Sequence, residues 1–201
     1  MKTLILTIAI AASTLFGISQ TTYAATGSNQ QVTQLTDVSN INEIEVHGNV
    51  QVYLSNGDAN QVKVYNNYYA ESALVQDENG VLRISSYSPE KLVVWVTVKQ
   101  LEKLSAYDNA EVKSFGKLST IDLDVKLFNN ASAKLDMDTF TATISLDQRA
   151  KADLTGTVSD GKIQYAQSSF LNITYLDAAH LVKIVKARQP RCARPIEFAS
   201  L

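Results

Sequence analysis

The sequence predicts an all-β protein, a β-layer followed by a stack of repeated β-coils, made for export. Three observations predict it. Apolar and polar residues alternate from about Ile41 onward, no window of helical length keeps a clean 3.6-residue period, and the second half of the chain repeats itself about every twenty residues.

Composition narrows the class. At 201 residues the chain has room for one or two small domains with a respectable core. Its formal net charge of −2 gives no reason to expect a nucleic-acid partner or an anionic membrane surface. The single cysteine, Cys192, cannot form an internal disulfide, so packing and backbone pairing must supply the stability.

Residues 1–24 read as a secretory signal peptide. Lys2 gives the positive start, Leu4 to Ile18 the apolar run, and Thr22-Tyr23-Ala24 the small residues at the −3 and −1 positions of a cleavage site. The run is short for a bilayer span of about 20 residues and lacks a basic stop-transfer flank. Cleavage would leave residues 25–36 as a polar, flexible N-terminus, with no later segment able to span a membrane as a helix. The expected location is extracytoplasmic: periplasm, outer surface or secreted.

Residues 37–100 read as an N-terminal β-layer. Ile44 and Val46, then Val50, Val52 and Leu54, recur at period two around a His47-Gly48-Asn49 break. Ser55-Asn56-Gly57-Asp58 and Asp77-Glu78-Asn79-Gly80 are turn signals, pointing to hairpins or meanders. Val94, Val96 and Val98 share one face of a β-branched strand, with Trp95 on the other. The best helical candidate is a short turn at Tyr68 to Val75.

Residues 101–185 read as solenoid coils. The segments Leu104 to Phe115, Val125 to Asp136, Ile144 to Thr155 and Ile163 to Thr174 align in five columns, offset by 21 residues once and then by 19 twice. The columns hold Leu104/Val125/Ile144/Ile163, Ala106/Leu127/Leu146/Tyr165, Ala110/Ala131/Ala150/Ser169, Val112/Ala133/Ala152/Leu171 and Ser114/Leu135/Leu154/Ile173. Columns one and two are two residues apart and share a strand face; a polar corner separates them from columns three to five. Strand, corner, strand and turn at this length fit one coil of a β-solenoid, with equivalent residues stacked about 4.8 Å apart. Small residues in column three suit a crowded corner, and Asn109 and Asn130 are placed to form an amide ladder. A further offset of 19 puts Val182 and Ile184 in columns one and two.

Residues 186–201 leave the pattern. They carry Lys186, Arg188, Arg191 and Arg194, two of the three prolines, and Cys192. A solvated cap, a partner-binding tail and an altered reading frame all fit such a segment.

No catalytic constellation emerges, so no catalytic, cofactor-binding or metal-binding residues are assigned and no cofactor is expected. Asp122 with Asp124, and Asp136 with Asp138, have the spacing of hard oxygen ligands, but Ca²⁺ needs about six oxygens and no glycine–aspartate nonapeptide repeat is present. His47 and His180 are the only histidines, and no nucleophile elbow, zinc helix or phosphate loop accompanies them. Tyr65, Tyr68, Tyr69, Tyr87 and Trp95 form an aromatic group whose rings can stack on sugars or anchor an interface, although half-buried strand positions are the commoner explanation for such residues. The Asn130 and Asn172 sequons read as chance matches.

Over about residues 37–180 the pattern resembles the family called putative auto-transporter adhesin, head GIN domain. The likeness is carried by Ile44 to Asp58 as opening strand, glycine turn and second strand. It continues through Gly80-Val81-Leu82-Arg83-Ile84, the valine-rich strand Val93 to Val98, and corners such as Leu104 to Val112. Where the family's corners usually read glycine-serine-glycine-aspartate-valine, this chain has Asn, Asp and Ala. The resemblance implies a right-handed parallel β-helix-like fold on or outside the cell envelope. It implies no particular ligand. The leading expectation is an adhesin-like, non-enzymatic envelope or surface protein that binds a surface protein or glycan through an extended β-surface of regularly spaced side chains. A third reading is end-to-end self-association through an uncapped coil, whose unpaired backbone invites another strand. The alternative reading is a carbohydrate-active enzyme, a polysaccharide lyase or hydrolase on the same scaffold.

Overall fold

The computed structural model describes residues 32–35, 40–65 and 73–187. The signal-peptide reading, Tyr68, Tyr69 and the tail from residue 188, Cys192 included, lie outside them. The described residues contain twelve strands and no helix: β1 (Val32–Leu35), β2 (Glu43–Gly48), β3 (Val50–Asn56), β4 (Gln61–Tyr65), β5 (Ala73–Glu78), β6 (Val81–Ser86), β7 (Leu92–Val98), β8 (Lys103–Ala106), β9 (Glu111–Leu127), β10 (Ser132–Leu146), β11 (Lys151–Ala166) and β12 (Phe170–Lys186). All belong to one sheet. Its inward side chains form a single buried cluster, so the sheet curls around its own core.

The repeat seen in the sequence is a parallel register. β10 pairs with β11 from Ser132↔Lys151 to Leu146↔Tyr165, and Ile144 lies beside Ile163. Column one runs Leu82–Ile44–Leu104–Val125–Ile144–Ile163 through successive parallel pairs. Column four runs Val64–Val94–Val52–Val112–Ala133–Ala152–Leu171. The columns therefore continue into the N-terminal strands, where β2 inserts between β6 and β8, and β3 between β7 and β9. Each fully buried Leu, Ile or Val contributes about 1.5–3 kcal/mol, and a slip of one residue would turn a whole strand's apolar set outward.

Every long strand has two arms. The first arms of β9–β12 continue the β4–β7–β3 side, and their second arms continue the β5–β6–β2–β8 side. The phase switches at the bend: in β10, Thr139 and Ala142 both face inward with exposed Phe140 between them. Gly156 serves the bend of β11, with φ +101° and no room for a Cβ, which would lie 2.0 Å from Met137 O.

The corners close as four-residue turns. The amides of Ala110, Ala131, Ala150 and Ser169 donate to the carbonyls of Tyr107, Phe128, Asp147 and Ala166. Asp108, Asn129 and Gln148 take left-handed φ of 60°, 59° and 56°, a conformation short Asp and Asn side chains tolerate best. These side chains form the expected ladder: Asn129 Nδ2 donates to Asp108 Oδ1 (2.9 Å) and Asn130 Nδ2 to Asn109 Oδ1 (3.2 Å). Column three is small because its carbonyls receive the next layer: Ser132 N donates to Ala110 O, Lys151 N to Ala131 O and Phe170 N to Ala150 O, each at 2.9 Å.

Two bulges set the offsets. Lys113 pairs with Lys134 but Lys117 with Asp136, so β9 carries two extra residues around Ser114–Gly116, and the offset falls from 21 to 19. In β12 one extra residue enters between Asn172 and Tyr175, where Asn172 Oδ1 accepts from the Thr174 amide (3.1 Å) and hydroxyl (2.7 Å). This corrects the expectation for the last layer. Ile163 and Tyr165 pair with Lys183 and Val185, not with Val182 and Ile184. Among the turn signals, Asn79-Gly80 closes the β5–β6 hairpin with both central residues left-handed (φ 53° and 81°). Asn56-Gly57 instead joins β3 to β4, which do not pair because β7 lies between them.

One core position is polar without compensation. Thr139 is buried, and its Oγ1 has no hydrogen-bond partner, while the next layer places Val158 beside it. Thr139→Val is expected to raise unfolding stability by about 1 kcal/mol, the desolvation cost of an unpaired hydroxyl; a lower urea midpoint would contradict this. Gln148→Asn is expected to gain roughly 0.5 kcal/mol by easing the left-handed corner, measured in the same titration.

Candidate binding face

The outward side chains of β3, β4, β7 and the first arms of β9–β12 share one face. Parallel and antiparallel pairs align them in rows that cross the strands. One row is Lys63–Trp95–Tyr53–Lys113–Lys134–Asp153, and the next includes Tyr65, Gln51, Glu111, Ser132, Lys151 and Phe170. At about 4.8 Å per strand each row is roughly 25 Å long.

Aromatic rings mark this face. Tyr53 stacks on Trp95 at 4.8 Å between centroids, and Trp95 meets Phe115 at 5.3 Å, tilted by 58°. Gln51 Nε2 donates to the Tyr53 hydroxyl at 3.0 Å. Phe115 stands in the β9 bulge and is 64% exposed; Phe170, three strands away, is 63% exposed. Phe115 packs only a tilted edge against Trp95, and both rings stay largely in solvent. Beside Phe170 lies a hollow of about 220 Å³ lined by Lys113, Ser132, Lys134, Lys151 and Asp153, among others.

The two rows named above are rich in lysine. Lys91 Nζ lies 2.7 Å from Glu111 Oε1, Lys113 3.5 Å from Glu111 Oε2, and Lys134 3.7 Å from Asp153. The hydrogen bond from Lys91, together with the charges of Lys91 and Lys113, holds the Glu111 carboxyl below the usual carboxylate range against the opposing effect of burial. The face built by β2, β6, β8 and the second arms differs. There Lys103 pairs with Glu43 (2.6 Å), Arg83 with Glu45 (3.2 Å) and Lys126 with Asp124 (2.8 Å), balancing charge locally.

The structure redistributes the residues singled out in the sequence. Trp95 joins Tyr53 and Phe115 instead of Tyr65 or Tyr87. Tyr65 pairs with Val93 one row away, and Tyr87 sits near a corner with its hydroxyl 3.3 Å from Asp108 Oδ2. Tyr53 carries a readable signal, since it alternates with buried Val52 and Leu54; Phe115 has none, because it stands in a bulge. His47 stacks on Tyr107 (4.3 Å, 1° between planes), and Tyr107 stacks on Phe128 (4.7 Å, 5°), making a corner ladder. His180 lies in register with Asp160 on β12, so the two histidines do not meet. Asp122 pairs with Thr141, Asp124 with Lys126, and Asp136 and Asp138 with β9 and β11 neighbours. Among the described residues no three His, Cys, Asp or Glu side chains converge as a metal site.

Residues 40–187 match the family model described as "Putative auto-transporter adhesin, head GIN domain". The fold is similar to the crystal structure of a protein called a putative adhesin from Parabacteroides distasonis, with TM-score 0.58, 15% identity, and coverage of 78% of this chain and 79% of that one. A protein called a putative adhesin from Parabacteroides merdae gives TM-score 0.60 at 12% identity, covering 79% of each chain. One called a putative lipid binding protein from P. distasonis gives 0.62 at 13% identity, covering 78% of each. No curated protein matches the chain.

The Glu111 pairs make a pH prediction. A carboxyl whose folded pKa is depressed stabilises the fold above its unfolded pKa, and that contribution is lost as pH falls through the lower, folded value. Glu111→Gln is therefore expected to cost a fraction of a kcal/mol at neutral pH, about the worth of an exposed ion pair. The difference from wild type should vanish in acid, below the ordinary carboxylate range, when urea midpoints are compared across pH. A pH-independent difference would contradict it.

Proposed function

The chain belongs to the putative auto-transporter adhesin, head GIN domain, family, and from that premise we propose that it is an exported envelope or surface protein that binds glycans without transforming them. The long parallel registers support reading the stack as a right-handed parallel β-helix-like solenoid, a scaffold whose backbone is satisfied internally and whose outer side chains recur at fixed spacing. The observation that carries the glycan reading is the exposed pair Phe115 and Phe170, set on the same face as Trp95 and Tyr53. Exposed rings on a rigid sheet offer the flat apolar platforms on which sugar rings stack, while neighbouring lysine, serine and aspartate side chains supply hydrogen bonds. A lyase or hydrolase needs an acid and a base converging on one bond. Around the ring-bearing rows the acids Glu111 and Asp153 are engaged by Lys91, Lys113 and Lys134, which supports binding over catalysis at this face.

A glycan array probed with the mature protein and with Phe115→Ala/Phe170→Ala tests the proposal. Both rings are exposed, so the variant should unfold at the wild-type urea concentration while losing about tenfold or more in affinity for whichever glycan is bound, roughly 0.7 kcal/mol or more per ring. Binding that the double variant retains would remove the aromatic face as the site.

A further inference from the structure

We propose that the ligand is an acidic polysaccharide, carrying carboxylates or sulfates, that lies across the strands between Phe115 and Phe170; this rests on the glycan-binding reading above and names its substrate class. The argument begins from charge. Within the two rows named above, Lys63, Lys113, Lys134 and Lys151, with Lys91 beside Glu111, stand against Glu111 and Asp153. Further along the same face Lys117 stands with Asp136, Asp138 and Asp177, so the excess of cations is local to these two rows. On the opposite outer face Lys103, Arg83 and Lys126 each sit 2.6–3.2 Å from an acid.

The arrangement is also unfavourable to the fold. Lys113 and Lys134 are direct partners on adjacent strands, and like charges placed opposite one another destabilise a sheet. Their acidic neighbours do little to offset this, lying at 3.5 and 3.7 Å, beyond good hydrogen-bond length. Lys63 and Lys151 make no ion pair among the described residues. A local conflict with stability, with no structural gain beside it, is the mark of a functional site. An anion seated between the ammonium groups would relieve it.

Shape then selects the class of anion. The hollow of about 220 Å³ is mainly apolar, lined by Val112, Ala133, Ala152 and Phe170 with the stems of Lys113, Lys134 and Lys151 around it. It is enough for one sugar ring, whose acidic group would reach the ammonium ends at its rim. Phe115 and Phe170 stand three strands apart across the sheet, with Phe115 also displaced along its strand from the Glu111 row that holds Phe170, so the two rings bracket the lysines diagonally. A single-stranded nucleic acid also pairs stacking with positive charge, but it needs successive free ring faces. Tyr53 and Trp95 cover each other's faces here.

The test compares polymers that share a backbone: polygalacturonate against its fully methyl-esterified form, and dextran sulfate against dextran, with an oligo(dT) arm. The expected result is that the mature protein binds at least one acidic polymer about tenfold more tightly than its neutral counterpart. That preference should shrink as salt shortens the screening length from about 30 Å to about 8 Å. Lys113→Gln/Lys134→Gln should lose the preference and show an unchanged or higher urea midpoint, since the substitutions remove a repulsion. Equal binding to acidic and neutral partners overturns the acidic assignment and leaves the glycan reading standing. Binding to none of the four, with ring-dependent binding elsewhere on the array, does the same; blanks in both assays sink both readings. Tighter binding to oligo(dT) than to either acidic polymer, or a double-lysine variant that keeps the preference, also overturns the inference.

Discussion

The structure depends on parallel register. Column one holds only because Ile44, Leu104, Val125, Ile144 and Ile163 meet at successive layers without a slip. The side-chain period of a strand is two, so an error of one residue would exchange the buried and solvent faces for a whole arm. Where the chain needs an extra residue, it confines it to a bulge and recovers phase within a few positions, as at Ser114–Gly116.

That constraint falls on one side of the sheet only. Inward positions are fixed by packing, and the backbone donors and acceptors between layers are spent on one another. Outward positions are left open to chemistry, and the two outer faces have used the opening differently. One is laced with local ion pairs; the other carries stacked rings and two rows rich in lysine. A binding face of this kind can change residue by residue without disturbing the core behind it.

Much of the architecture was legible. Val125, Ile144 and Ile163 recur at one interval in a chain whose layers follow in sequence order, and the small residues Ala110, Ala131 and Ala150 mark the corners. The same columns in β2, β3, β6 and β7 were hidden, because β2 and β3 insert between strands that come later in the chain. Period-two alternation is identical for parallel and antiparallel partners, so those strands read as hairpins. The final layer was misread by one residue, since a bulge held by Asn172 and Thr174 leaves no mark in apolar spacing. Of the ring cluster, Trp95 stood out in the sequence and Tyr53 was readable from its alternation, but their meeting was not. The partners of Trp95, Tyr53 and Phe115, are 42 and 20 residues away in sequence and become neighbours only through the register.

The misread position has a meaning of its own. The bulge brings Lys183, a cation, to the end of the file that begins with Leu82. Any strand laid on β12 in the same register would have to cover an ammonium group that has no acid opposite it in that file, at a cost of several kcal/mol. Inward-facing charge on an edge strand is how sheets discourage templated growth. Among the described residues, column one therefore closes at β12 on a charge that any further layer in the same register would have to accommodate.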